Sequence, residues 1–127
     1  MSIPIENVRS IPAEETYSLR HRILRPTQLL AECAYPEDKA EHTYHAGYYR
    51  DQQLLGVGTI FRAARPESTL PTVWRIRGMA VSEEAQGLGI GGKVLSALLA
   101  YAASQGMPAE VWCNGRANVQ GFYERFG

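Results

Sequence analysis

The sequence predicts an α/β domain in which helices pack against a mixed sheet. Three observations predict it. Thr43 to Arg50 and Gln53 to Ala64 read as two strands about a turn at Asp51-Gln52. Thr72 to Ser82 reads as an apolar-rich strand that passes through a short acidic bend into a glycine loop, Gln86 to Gly92, and then a helix. A further strand, Glu110 to Asn114, is followed directly by a helical pattern from Arg116 to Phe126. Helices that follow strands without long connections favour layers of helix against sheet.

The 127 residues suit one domain, 1–127. The 13 basic and 13 acidic residues balance, which argues against generic nucleic-acid or membrane-surface binding. The N-terminus lacks an apolar signal core and no run approaches membrane-spanning length, so a soluble, cytoplasmic protein is expected. Cys33 and Cys113 have no ligand-like spacing and read as reduced thiols.

In chain order, Ile3 to Arg9 alternates as a short strand. Ser10 can cap a helix, with Pro12 in its first turn, Leu19 and Ile23 on one face, and Pro26 as its stop. Arg20, His21, Arg22 and Arg25 form a positive cluster, either a solvated face or a contact for an anionic acceptor or partner. Residues from Gln28 to Cys33 suggest a second short helix. His42 and His45 fall in a strand-like stretch with no third ligand, so no metal site is expected and His45 is read as packing or hydrogen-bonding locally.

On the central strand, period-two geometry puts Val73, Arg75, Arg77, Met79 and Val81 on one face. Trp74, Ile76, Gly78 and Ala80 take the other. Arg75 and Arg77 then need ion-pair partners, or they line an acceptor pocket that favours a carboxylate- or phosphate-bearing substrate. Glu83 and Glu84 read as a solvated bend. From Ile90 to Gln105, Ile90, Val94, Leu98 and Tyr101 recur at helical spacing, widened by Leu95 and Ala102, and Gly106 suits the C-terminal cap.

The glycine loop allows two readings. Gly87, Gly89 and Gly92 fit the dinucleotide spacing G-x-G-x-x-G, but that fingerprint belongs in a first strand–turn–helix unit, and this loop comes late in the chain. Gln86-Gly87-Leu88-Gly89-Ile90-Gly91 resembles the Q/R-x-x-G-x-G/A signature with which the GNAT family of N-acetyltransferases cradles the pyrophosphate of acetyl-CoA. The resemblance continues through Arg77-Gly78-Met79-Ala80-Val81 before the loop, and through Val111-Trp112-Cys113-Asn114, Asn118 and Phe122-Tyr123-Glu124-Arg125-Phe126-Gly127 after it.

The resemblance implies a mixed, strongly twisted sheet with splayed fourth and fifth strands, acetyl-CoA lying in the gap, and no metal. It also implies cofactor contacts from Met79, Ala80, Val81, Gln86, Gly87, Leu88, Gly89, Ile90, Gly91, Gly92, Asn114, Asn118 and Tyr123. Tyr123 matches the family's tyrosine that protonates the departing thiolate, and Asn118 matches a residue that bonds the pantetheine arm. The backbone near Val81 would donate to the thioester carbonyl. The acceptor would be an amine of a small molecule or peptide, with Arg75 and Arg77 as candidate contacts, and the general base has no evident candidate. Family members usually carry two further strands after the Phe-Tyr helix. The chain is C-terminally short of that pattern: either it is a truncated form, or another subunit supplies the missing edge, as in a homodimer through the sheet edge, or the domain holds without those strands. The alternative reading is a non-catalytic acyl-CoA-binding or oligomerising module.

Overall fold

Five strands form one sheet in the order β1-β2-β3-β4-β5. The computed structural model describes residues 6–62, 73–106 and 110–112. β1 (Glu6–Ser10), β2 (Thr43–Arg50), β3 (Gln53–Arg62) and β4 (Val73–Val81) run antiparallel to their neighbours, and β5 (Glu110–Trp112) runs parallel to β4. The sheet is therefore mixed, and its antiparallel meander excludes the doubly wound parallel sheet of the dinucleotide-binding reading.

β2 and β3 are joined by Asp51 and Gln52, with φ of 49° and 70°. Two left-handed residues make the turn whose twist matches that of the flanking strands. Neither is glycine, so the strand pairing on both sides holds a conformation that the residues themselves disfavour.

One face of the sheet is covered by the second α-helix of the chain, α2 (Ile90–Ser104). Ile90, Val94, Leu95, Leu98 and Ala102 are buried, against Ala46, Tyr48, Ile60, Trp74 and Ile76. The expected stripe is the observed one. Each such side chain contributes about 1.5–3 kcal/mol when removed from water. The helix comes close because β3 offers glycine beneath it. A Cβ on Gly56 would sit 2.8 Å from Ile90 Cγ2, and one on Gly58 2.5 Å from Met79 Sδ and 2.9 Å from Val94 Cγ1. At the far end Gly106, with φ 120°, follows the helix as expected.

The other face is covered by 13–40, which departs from the expected helix. Ser10 closes β1 and caps nothing; Pro12, extended at ψ 156°, is the N-cap, with no side-chain bond. A 3-10 turn (Ala13–Thr16) passes into a single α turn, α1 (Tyr17–Leu19), and then a π turn (Arg20–Leu24). Three helical pitches in succession cannot keep one 3.6-residue stripe, so Leu19 and Arg20 are both buried. The second expected helix is a short 3-10 turn (Leu30–Cys33).

β4 also departs from simple alternation. Val57 pairs with Ala80 and Thr59 with Arg77, so the single residue Gly58 faces both Gly78 and Met79. This is a β-bulge, and Gly78 carries it at φ 69°. The extra residue reverses the faces beyond it. Met79 and Val81 join the α2 face with Trp74 and Ile76, whereas Ala80 packs with Ile11, Leu19 and Val57 on the opposite face. The expected grouping of Met79 and Val81 with Arg75 and Arg77 is thereby corrected.

Candidate active site

The glycine loop begins where β4 ends. Ser82 N–H donates to the Leu55 carbonyl at 2.8 Å, and a 3-10 turn (Glu83–Ala85) leads the chain away from the sheet. That turn is held from the opposite layer: Arg22 donates through Nε to Glu83 Oε1 at 2.9 Å and through a terminal nitrogen to Ser82 Oγ at 3.0 Å. The acidic bend is solvated, as expected, but it is also anchored.

Gln86 then turns back, and its Nε2 donates to the Val81 carbonyl at 3.0 Å. The side chain thus ties the loop to the end of β4 and occupies one of the strand's edge acceptors. Gly87 and Gly89 follow at φ 85° and 80°, where other residues are strained. Among the described residues, a Cβ at either position would meet no heavy atom within 4 Å, so the outer side of the loop is open toward them. Leu88, between them, is exposed. Ile90 is different: its side chain is buried in the core, so only its backbone faces the loop.

Gly89 is the left-handed N-cap of α2 and offers no side chain to its amides. The helix ladder begins with Lys93 N–H to the Gly89 carbonyl at 3.3 Å. The amides of Ile90, Gly91 and Gly92 precede that bond and have no intrahelical acceptor. Free donors at the positive end of a helix, behind an open glycine loop, form a cradle for a phosphate-type anion.

The edge of β4 lies beside this cradle. Among the described residues, β4 pairs with β5 only over Val73, Trp74 and Arg75, leaving the stretch from Ile76 to Val81 without a β5 partner. An extended ligand can pair there as an added strand. Asn114, Asn118 and Tyr123 lie outside the described residues.

On the sheet face opposite α2, β4 meets a polar cluster that the sequence did not reveal. Arg20 is fully buried, which corrects the solvated-face reading of the basic cluster at that residue. Its guanidinium donates to Asp38 Oδ2 at 2.7 Å and Oδ1 at 2.9 Å, to Thr59 Oγ1 at 2.8 Å and to the Cys33 carbonyl at 2.9 Å. His45 completes the ring. Its Nε2 lies 2.9 Å from the Asp38 carbonyl, which can only accept, so Nε2 carries the proton. Nδ1 then accepts from the Thr59 hydroxyl at 2.8 Å.

The titration shifts agree with that arrangement. Burial holds the His45 imidazole below its ordinary range, outweighing the pull of Asp38. Burial also works to raise the Asp38 carboxyl, but hydrogen bonds from Arg20 and the Tyr35 amide overcome it and hold the group below the usual aspartate value.

This cluster fixes the turn from Tyr35 to Asp38. Tyr35 N–H donates to Asp38 Oδ2 at 2.8 Å, and Asp38 N–H returns to the Tyr35 carbonyl at 3.1 Å. The Tyr35 ring receives two guanidinium groups, Arg20 and Arg77, each 3.9 Å from its centroid. It also fills the space over the bulge: a Cβ on Gly78 would meet Arg20 Nε at 2.9 Å and Tyr35 Cε2 at 3.1 Å. Arg77 and Arg75 are thus half-buried on the face away from α2, with Arg77 held by Tyr35 and by Glu37, whose Oε1 lies 3.9 Å from an Arg77 terminal nitrogen.

An open glycine cradle at a helix start, a bulged strand with an edge beside it, and a cationic wall across that strand are the parts of an acyl-group transferase. The model of the acetyltransferase (GNAT) family matches residues 5–127, and the chain belongs to that family. It is 37% identical over 120 residues to the uncharacterized N-acetyltransferase YitI of Bacillus subtilis strain 168, covering 94% of this chain and 80% of that protein. Its fold is similar to that of the aminoglycoside N-acetyltransferase AAC(6')-Iy in complex with CoA, at a TM-score of 0.77 and 14% identity over 99% of this chain and 89% of that one. It is also similar to a predicted acetyltransferase from Clostridium acetobutylicum with acetyl-CoA, at a TM-score of 0.76 and 14% identity over 97% and 89%.

Proposed function

We propose that this protein transfers the acetyl group of acetyl-CoA to an amine of a small molecule or peptide. The observation that carries the reading is the loop 86–92, where two left-handed glycines open outward in front of the α2 amides. The pyrophosphate of CoA is an anion of the size and charge that such a cradle accepts. The pantetheine arm would then run along the edge of β4 at Met79, Ala80 and Val81, with Asn114 and Asn118 as further contacts. That two solved relatives of this fold were crystallised with CoA or acetyl-CoA supports the same reading.

In the reaction the neutral amine nitrogen attacks the thioester carbonyl carbon, the C–S bond breaks, and the thiolate leaves as the amide forms. Holding both reactants on one rigid edge makes the step effectively intramolecular. A backbone amide near Val81 would polarise the carbonyl. Tyr123 is the candidate donor of a proton to the thiolate, and Tyr123→Phe should lower kcat by roughly 10²-fold or more with little change in CoA affinity.

The test is direct. Gly89→Val places a β-branched residue at φ 80° and a side chain in the open face of the cradle, and it should weaken CoA binding by about tenfold or more in calorimetry. A folded variant with unchanged affinity would remove the proposal. Turnover of acetyl-CoA against a panel of amines tests the chemistry separately: CoA binding without transfer to any of them would leave a binding module.

A further inference from the structure

The acceptor side of the site contains a carboxylate with unused capacity. Glu37 stands at the tip of the Tyr35–Asp38 turn, where Pro36 presets the backbone and the Arg20–Asp38 pair fixes both ends. Its backbone carbonyl is used twice, by Thr43 Oγ1 at 2.8 Å and by Ala40 N–H at 3.1 Å. Its side chain is not. Oε1 lies 3.9 Å from Arg77, too far for a hydrogen bond, and Oε2 is buried with no hydrogen-bond partner. A carboxylate held in place, partly desolvated and loosely paired is strongly attractive to a cation that can donate hydrogen bonds.

Arg77 is the complement. It stacks on Tyr35 and makes no hydrogen bond among the described residues, so its donors face the same space as the Glu37 carboxylate. The Tyr35 ring on which Arg77 stacks lies over the bulge at Gly78, the residue before the edge of β4 along which the pantetheine arm is proposed to run. One carboxylate and one guanidinium within 4 Å of each other, both partly exposed, form a pair of opposite charges that a single zwitterion can bridge.

We infer that Glu37 receives the acceptor's amino group and Arg77 an anionic group on the same molecule, so that the acceptor is an amine bearing a carboxylate or phosphate close to its nitrogen. The inference rests on the function proposed above. The ammonium binds Glu37 and gives one proton to its carboxylate. The freed nitrogen lone pair attacks the thioester carbon of acetyl-CoA, the C–S bond breaks, and the thiolate takes a proton from a donor such as Tyr123. The second proton lost from nitrogen as the amide forms passes to solvent. The sequence could not show this group, because Glu37 lies 40 residues from Arg77 in the stretch whose pattern is least regular.

Two substitutions and a set of matched amines test it. Because the Glu37 side chain makes no hydrogen bond among the described residues, Glu37→Gln should fold, and a melting curve checks that. Its kcat/KM for acceptor should fall by roughly 10²-fold or more, the usual scale for a positioned base, with the KM of acetyl-CoA unchanged and Glu37→Asp recovering part of the loss. Arg77→Met should raise the acceptor KM about tenfold or more while leaving kcat near that of the parent. The amines are phenylalanine, its methyl ester and phenethylamine for the carboxylate arm, and O-phosphoethanolamine against ethanolamine for the phosphate arm. Preference for the charged member of either set supports the inference, and equal use of members lacking the anion overturns it, as does unchanged kcat/KM in Glu37→Gln. Titration of phenylalanine and O-phosphoethanolamine into the CoA-bound protein separates the two proposals. Binding that is lost in Glu37→Gln, without turnover in the parent, would keep this subsite and remove the transferase reading. Binding of neither amine would overturn the subsite.

Discussion

The two faces of the sheet are held by different physics. Beneath α2 the contact is dry and apolar, made by a regular stripe of side chains on glycine-floored strands. On the opposite face, a helical segment that changes pitch twice is tied down by one buried arginine and the groups that its terminal nitrogens bond. The first face supports the loop that is proposed to hold CoA; the second positions Tyr35, Glu37 and Arg77. On the roles proposed above, an ordinary hydrophobic core would carry the cofactor loop and a buried charge network would shape the acceptor side.

The sharpest way to break the contrast is Asp38→Ala. It leaves the Arg20 charge buried without its bidentate partner and removes the acceptor of the Tyr35 amide. Stability should fall by about 3–5 kcal/mol in urea unfolding. At temperatures where the variant remains folded, acceptor KM should rise while CoA affinity stays close to the parent's. Equal losses on both substrates would show that the two faces are not separable.

Next in size is the matching change on the other face. Leu98 is fully buried under α2, and Leu98→Ala should cost about 2–5 kcal/mol by lost burial and a cavity. Its signature is the reverse of the first: a lower urea midpoint with acceptor KM unmoved. A shift in acceptor KM would mean that the core communicates with the polar face.

What was legible in the sequence follows the same division. The α2 stripe, the Gly106 cap, the Asp51-Gln52 turn and the glycine loop are local patterns, and local physics writes them in period and spacing. The polar face is nonlocal. Arg20 sits among three other basic residues, and nothing near it in the chain distinguishes the one that is buried; its partners Asp38 and Thr59 lie 18 and 39 residues away. The bulge was signalled by a glycine inside a strand, a known mark of broken alternation, but strict period-two counting passed over it and misplaced Met79 and Val81. Glu37 carried no signal at all, because its meaning comes from an arginine on a strand formed much later in the chain.

The smallest expected effect is a pH dependence confined to the polar face. The His45 imidazole is held below its ordinary value by burial, so the unfolded chain binds a proton that the folded one refuses. Its contribution is fully present above about pH 6.5 and is lost as pH falls through the lower folded value. Asp38, also depressed, adds a second loss below the ordinary aspartate range. Urea midpoints should decline between pH 7.5 and 5, and His45→Gln should flatten that interval. An unchanged slope in the variant would assign the decline to other groups.

The order of the strands has a kinetic consequence. β2 and β3 are joined by two residues and can zip locally, whereas β5 reaches β4 only after α2 has crossed the sheet. Pairing across a long crossover pays its loop closure before any contact rewards it, so it belongs late in folding. The β4–β5 pairing that bounds the free edge of β4 is therefore completed after the meander has formed. A ligand that recognises only the finished edge would leave the refolding rate nearly unchanged and slow the escape from the native state. In a chevron plot recorded with and without CoA, the difference should fall on the unfolding arm.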